Sequence, residues 1–363
     1  MIDYAARRAR VIEALDVDAF LVVHLETTDP DRASIFYLTG YPGYGVLLLT
    51  RDATHAYASP TNIGMASEAA PHLDWRLLDW EYQEAILALI KEHEVRRLGV
   101  ASRRIGMLTW RALEAANAWE LVVEDDPIAA VRAVKDADEI EAIRRAAQIT
   151  ESALEEVLAR VGPGATEAQI AWWIECAMRE RGADQTAFDL IVSAGASSAL
   201  PHHDPADRPI RDGEVLLFDI GARYRGYCSD ITRVVSIGRA AKQMREIYGV
   251  VLEANRAGIE AFEPGASGAT VEAAARNVIE EAGYGEAYTH GLSHGVGIEI
   301  HELPVSQGSR AIDAYQPGMV CTAEPGIYLS GVGGIRIEDL LVVTDDGCEV
   351  LSRFPKDRLV EVG

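Results

Sequence analysis

Short apolar runs at Ala19–Val23, Val46–Thr50, Leu98–Ala101 and Leu121–Val123 predict strands in the first third of the chain. The stretches Glu81–His93 and Leu108–Trp119 carry helical spacing between them. This alternation predicts a small α/β domain. An acidic segment, residues 124–137, contains Pro127 and marks a boundary, which places the domains at residues 1–126 and 127–363. The second domain opens on a long helix, Asp138–Arg160, in which Ile140, Ile143, Ala147, Ile149, Leu154 and Leu158 recur at roughly helical intervals.

Within the second domain the pattern repeats. Pro163-Gly164-Ala165 followed by an amphipathic helix returns as Pro264-Gly265-Ala266 followed by another, and Gly213-Glu214-Val215 returns as Gly318-Met319-Val320. Two matches in the same order at nearly equal offset predict a duplicated unit of helices followed by a β-hairpin.

Each predicted hairpin carries two acids. With a two-residue turn at Tyr224-Arg225, Asp219 faces Asp230 on one side of the first hairpin. With a turn at Gly331-Val332-Gly333-Gly334, Glu324 opposes Glu338 in the second to within a residue. Facing like charges repel, and burying even one uncompensated carboxylate is costly. Either these four are solvent-exposed turn residues, or cations neutralise them; two divalent ions would balance four carboxylates and could activate a water molecule. Matching pairs in both copies favour the cations.

The histidines strengthen this reading. Five of the nine fall in two short stretches, Pro201-His202-His203 and the segment from His290 through His294 to His301-Glu302-Leu303-Pro304. Glycines at 291, 295 and 297 make a regular helix improbable there, so His290 and His294 are not a simple helical zinc pair. Composition narrows the field further. With 34 basic against 57 acidic residues the formal charge is −23, which disfavours a phosphate-backbone footprint and so argues against nucleic acid as a partner. No apolar run reaches the roughly 18 residues of a membrane helix, and the first residues lack a signal core, so the expected location is cytoplasmic, without a membrane partner. Cys176, Cys228, Cys321 and Cys348 are widely spaced and show no CxxC, which predicts buried thiols rather than disulfides or a zinc ribbon.

Asp219 and Asp230 eleven apart, His294 in SHGVGIEIHELP, Glu324 in TAEPGIY and Glu338 in GIRIEDL resemble the pita-bread metallopeptidases, the group holding methionine aminopeptidase, aminopeptidase P and prolidase. The resemblance covers residues from about 130 to 355. It implies an α+β chain with a carboxy-terminal pita-bread domain of duplicated helix-hairpin halves. The small domain before it resembles the creatinase-type, ribonuclease H-like amino-terminal domain of the proline-specific branch. Creatinase shares both domains but lacks the metal ligands, all five of which stand here. Carried over residue by residue, the resemblance implies that Asp219 chelates one metal, that His294 and Glu324 hold the other, and that Asp230 and Glu338 bridge the two. It further implies that Glu324 shuttles a proton, that His290 and His301 line the pocket near the scissile carbonyl, and that His202 contacts the proline side. Thr232 and Arg336, each two residues from a bridging acid and so on the same strand face, are expected as supporting partners. Mn²⁺ suits this carboxylate-rich set with one imidazole, and Co²⁺ or Zn²⁺ could also occupy it.

The bond before proline is a tertiary amide without an N–H, so a peptidase that must pair that hydrogen cannot process it. A dimetal site polarising the carbonyl from one side can. The expected activity is therefore hydrolysis of Xaa-Pro dipeptides (prolidase), with Xaa-Pro aminopeptidase acting on longer peptides as the runner-up. A non-peptidase enzyme on the same scaffold and a binding module without turnover are the readings from other classes. The expected partners are short proline-containing peptides and a second copy of the chain. The branch often carries an aspartate, a variable residue, then arginine-tyrosine after an early strand; here that place reads Ala58-Ser59-Pro60-Thr61-Asn62, a departure that bears on substrate length and dimer contacts. Trp75 and Trp80 lie nearby, with core packing as the expected role.

Overall fold

A computed structural model describes residues 2–26 and 28–362. The chain forms two compact units, divided between Arg132 and Ala133. In the first, the described strands form one seven-stranded sheet. Along it run Trp75–Leu77, Thr54–Ala58, Gly45–Thr50, Ala19–Leu25, Arg97–Ala101 and Glu120–Glu124, with Asp29–Pro30 beside Ala19–Leu25. All four strands expected from apolar runs are present. Thr54–Ala58 and Trp75–Leu77 escaped notice because His55 and Arg76 interrupt their apolar pattern and one is only three residues long. Helices cover the sheet, among them Tyr82–Glu92 and Met107–Ala116, and Leu21, Val23, Leu48, Ile86 and Leu89 meet in the core. Trp75 packs inside against Tyr41, whereas Trp80 is exposed, against expectation.

The segment expected to mark the domain boundary holds a helix, Pro127–Ala133. Proline is tolerated in a first helical turn because its missing N–H has no partner there anyway. The Asp126 carboxylate accepts the Ala129 N–H at 2.9 Å, and Ile128 and Ala133 are buried. The following helix, Ala137–Leu158, starts with a capping box. Asp136 accepts the Glu139 N–H while Glu139 reaches back to the Asp136 N–H, satisfying two otherwise orphaned donors.

The second unit repeats its own geometry. Ser and Thr caps at Thr166 and Ser267 start the equivalent helices Glu167–Glu180 and Gly268–Glu281. Before the first, Gly164 N–H bonds the Ile210 carbonyl and Ile210 N–H bonds that of Ala165; before the second, Gly265 and Ala266 make the same pair with Tyr315. The first half ends in the sheet Ile191–Ala194, Val215–Ile220 and Ile231–Ile237, with Val360–Val362 on its edge. The second half ends in a five-stranded sheet with Val320–Ala323 at its centre.

Period-two alternation on Val215–Ile220 fixes where the first acid goes. Leu216, Phe218 and Ile220 pack into a core with the first pair of helices, while Val215 and Leu217 join the core of the second half. Asp219 shares the second face, so its carboxylate points where the halves meet.

Candidate active site

The first hairpin differs from the sequence expectation in register. Its turn is Arg225-Gly226, with φ of 50° and 83°, the two left-handed residues of a type I′ turn. Asp219 therefore pairs with Thr232, and Asp230 lies diagonal to Asp219 rather than opposite it. The shift is two residues, an even number, so both acids keep one face. In the second hairpin the register runs through Ala323 with Asp339 and Gly326 with Arg336, which sets Glu324 across from Glu338 as expected. Its turn lies at 330–332, ahead of the expected glycine quartet, and Gly333 and Gly334 belong to the strand Gly333–Arg336.

All four acids and His294 line one cavity of about 260 Å³, together with His202, His301 and Arg336. Ligand atoms of Asp230, His294 and Glu338 lie within 4.8 Å of one another. Glu324 Oε1 is 3.2 Å from His294 Nε2. Asp219 is held by the Arg336 guanidinium at 2.5 Å. His294 Nδ1 lies 3.1 Å from the Gly295 carbonyl; donating there turns Nε2 to the carboxylates, the nitrogen by which a metal would be held.

The electrostatics fit cations. Burial and the neighbouring carboxylates push Asp230 and Glu338 well above the usual carboxylate range, and burial raises Asp219 against the pull of Arg336. Burial would also raise Glu324, but the hydrogen bond and charge of His294 outweigh it and bring Glu324 down to about 2. Asp230 Oδ1 is buried without a hydrogen-bond partner among the described residues. An orphaned carboxylate oxygen beside an imidazole nitrogen and a second crowded carboxyl group is a donor set suited to a divalent metal.

Thr232 and Arg336 both bond acids of the cluster, but neither bonds the acid two residues along its own strand. Thr232 Oγ1 donates to Glu338 at 2.7 Å and accepts from Arg336 Nε at 3.0 Å. Arg336 thus serves Asp219 and Thr232 rather than the acid two residues along its own strand. His202 and His301 line the cavity as expected, and burial with the nearby His294 charge brings His301 down to about 4. His290 stands apart from the lining. Its Nδ1 meets the Gly291 carbonyl at 2.8 Å and its Nε2 the Tyr328 hydroxyl at 2.8 Å. Tyr328 in turn accepts from Arg336 Nη1 at 2.8 Å, which links His290 to Asp219, and the charge of His290 also bears directly on Glu324. The neighbouring His203 turns away to buried Glu167.

Sequence reasoning missed Tyr328 and Thr322. Thr322 accepts the His294 N–H at 3.1 Å and donates to Glu324 at 3.2 Å, coupling two expected ligands. Both residues stand an even number of positions from Glu324, the same criterion that singled out Thr232 and Arg336. Also missed was the buried pair of Lys135 and Glu302, 3.0 Å apart, which ties down the loop that carries His301.

The sequence pattern of metallopeptidase family M24 matches residues 141–345, and that of the creatinase/prolidase N-terminal domain matches residues 6–134. The chain belongs to metallopeptidase family M24. Its M24 relatives include the Xaa-Pro dipeptidase of Pyrococcus furiosus, 34% identical over 331 residues that cover 90% of this chain and 92% of that protein. Among solved structures, the Xaa-Pro dipeptidase from Bacillus anthracis superposes with a TM-score of 0.92 at 32% identity, covering 99% of this chain and 100% of that one. The X-Pro aminopeptidase of Thermotoga maritima superposes with a TM-score of 0.90 at 33% identity, with the same coverage. The α+β architecture, with a pita-bread unit after a creatinase-type unit, is that of the M24 prolidase structures. The chain is a metallopeptidase of the divalent-metal-dependent kind. Among the described residues, no helix is long and apolar enough to cross a membrane.

Proposed function

We propose that this metallopeptidase hydrolyses the peptide bond before proline in Xaa-Pro dipeptides. The observation that carries the proposal is the convergence of Asp230, His294 and Glu338 in a cavity walled by His202 and His301. In this reading Asp219 would hold one cation, His294 and Glu324 would hold the other, and Asp230 and Glu338 would serve both. When bound, two divalent cations, with Mn²⁺ preferred over Co²⁺ or Zn²⁺, would supply a water of lowered pKa and polarise the substrate carbonyl. Glu324 then takes the proton from the attacking water and delivers it to the proline nitrogen. His301 donates a hydrogen bond toward the oxyanion, and His202 flanks the pyrrolidine ring. His290 positions Tyr328, which fixes Arg336 on Asp219. The expected setting is a cytoplasmic homodimer, with residues 127–363 as the catalytic domain.

Similarity to an X-Pro aminopeptidase as close as that to a dipeptidase supports one second reading, removal of the residue before proline from longer peptides. A panel of Xaa-Pro, Xaa-Pro-Yaa and Xaa-Ala peptides with Mn²⁺ separates the two. Dipeptides ending in proline are expected to give the highest kcat/KM; faster cleavage of the tripeptides would overturn the dipeptidase reading in favour of the aminopeptidase.

A further inference from the structure

The cavity that holds the ligands also exposes one carboxylate outside the ligand set. Asp189 lines it beside Phe188, Ile191 and Ile300. Its side chain makes no hydrogen bond or ion pair among the described residues, and it is solvent-exposed, unlike the four acids of the ligand set. Leu190, between two lining residues, turns into the core with Ile170 and Phe218. Asp189 and Ile191, on either side of it, face the cavity.

Register sets the distance. Ile191 is the strand partner of Asp219, and Asp189 lies two residues before it. At about 3.3 Å per residue, Asp189 stands up to about 7 Å along the chain from the level of Asp219. The α-ammonium of a substrate is two bonds from its scissile carbonyl carbon, which must sit at the ligand cluster. It is common to every substrate, so a contact with it could not discriminate between them. The side chain of the residue before proline can, and an extended lysine or arginine spans a similar distance. Its methylenes would lie along Phe188 and Ile191 while the cationic head meets the carboxylate, as amphipathic side chains do.

We propose that Asp189 selects a cationic side chain, lysine or arginine, in the residue preceding proline. This rests on the Xaa-Pro reading above. The metal-loaded enzyme is assayed on Lys-Pro and on norleucyl-Pro, which has a similar aliphatic chain without the charge, and the ratio of their kcat/KM values is compared between wild type and variants. Asp189→Asn is expected to lower the Lys-Pro to norleucyl-Pro ratio about tenfold, and Asp189→Lys to bring it below that of the asparagine variant while raising cleavage of Glu-Pro relative to norleucyl-Pro. A ratio within twofold of wild type in both variants overturns the assignment, as does an equal loss on every substrate, which would mean that Asp189 serves a part all substrates share. Wild-type enzyme that hydrolyses neither dipeptide overturns the Xaa-Pro reading itself, a different result from an unmoved ratio.

Discussion

Five candidate ligands, Asp219, Asp230, His294, Glu324 and Glu338, were visible in the sequence because carboxylate pairs and clustered histidines are rare and carry their own chemistry. Their neighbours were less visible, because Tyr328 and Thr322 are ordinary strand residues until the strands around them are placed. His290 shows the other limit. A histidine inside a histidine-rich stretch is expected to line the pocket, yet its ring is taken up by the Gly291 carbonyl and the Tyr328 hydroxyl. At this scale the crowding of Asp230 against Glu338 makes a prediction with a sign. Burial first, and then the charges of Glu338, Asp219 and Glu324, oppose ionisation of Asp230 when no cation balances them. Asp230→Asn removes that penalty together with a proposed metal ligand. In chelator, the variant is expected to melt higher than wild type, by about 2–4 °C for each kcal/mol relieved. The rise in Tm on adding Mn²⁺ should shrink and peptidase activity should vanish. A variant that melts lower in chelator would show that the carboxylate is held by something other than a cation.

Among the elements, strands with uninterrupted apolar runs were legible, and so was the duplication, whose helix starts recur with the same capping logic at Thr166 and Ser267. Register was not. The turn of the first hairpin depends on which two residues take positive φ, and Arg225 gives no sign in the sequence that it will. Only the even size of the shift preserved the shared face of Asp219 and Asp230. Arginine in that conformation carries a steric cost of about 1 kcal/mol, whereas Asn-Gly is the preferred pair for this turn. Arg225→Asn is thus expected to raise the stability of the metal-loaded protein by about 0.5–1 kcal/mol, read from the midpoint of urea unfolding, with kcat/KM on a proline dipeptide unchanged. An equal or lower midpoint would show that the stacking of Arg225 on Tyr224 outweighs the turn preference.

On the scale of the whole molecule, the two-unit organisation and the acidic balance were visible from the sequence, but not which acids the amino-terminal unit buries. Asp31, cap of the helix Arg32–Thr39, is one. Burial raises its pKa to about 6, against the bonds from Ser34 and the charge of Arg104. The folded state therefore keeps a proton that the unfolded chain releases near pH 4, so this stabilisation is complete below pH 4 and lost as pH rises through 6. Asp31→Asn keeps an acceptor for the Ser34 N–H without the buried charge. It should stabilise the amino-terminal unit by on the order of 1–3 kcal/mol at pH 7.5, with the advantage gone at pH 4. Denaturant midpoints at the two pH values check this; an advantage equal at both would assign the effect to capping alone. The carboxylates of the duplicated hairpins carry a consequence of a different kind. Each half contributes carboxylates that repel one another, and with cations bound as proposed the folded state would gain about 1.4 kcal/mol per site for every tenfold rise in free metal above the dissociation constant. A cell's proteases act on the unfolded fraction, and the lifetime of this enzyme would then follow the metal supply of its surroundings.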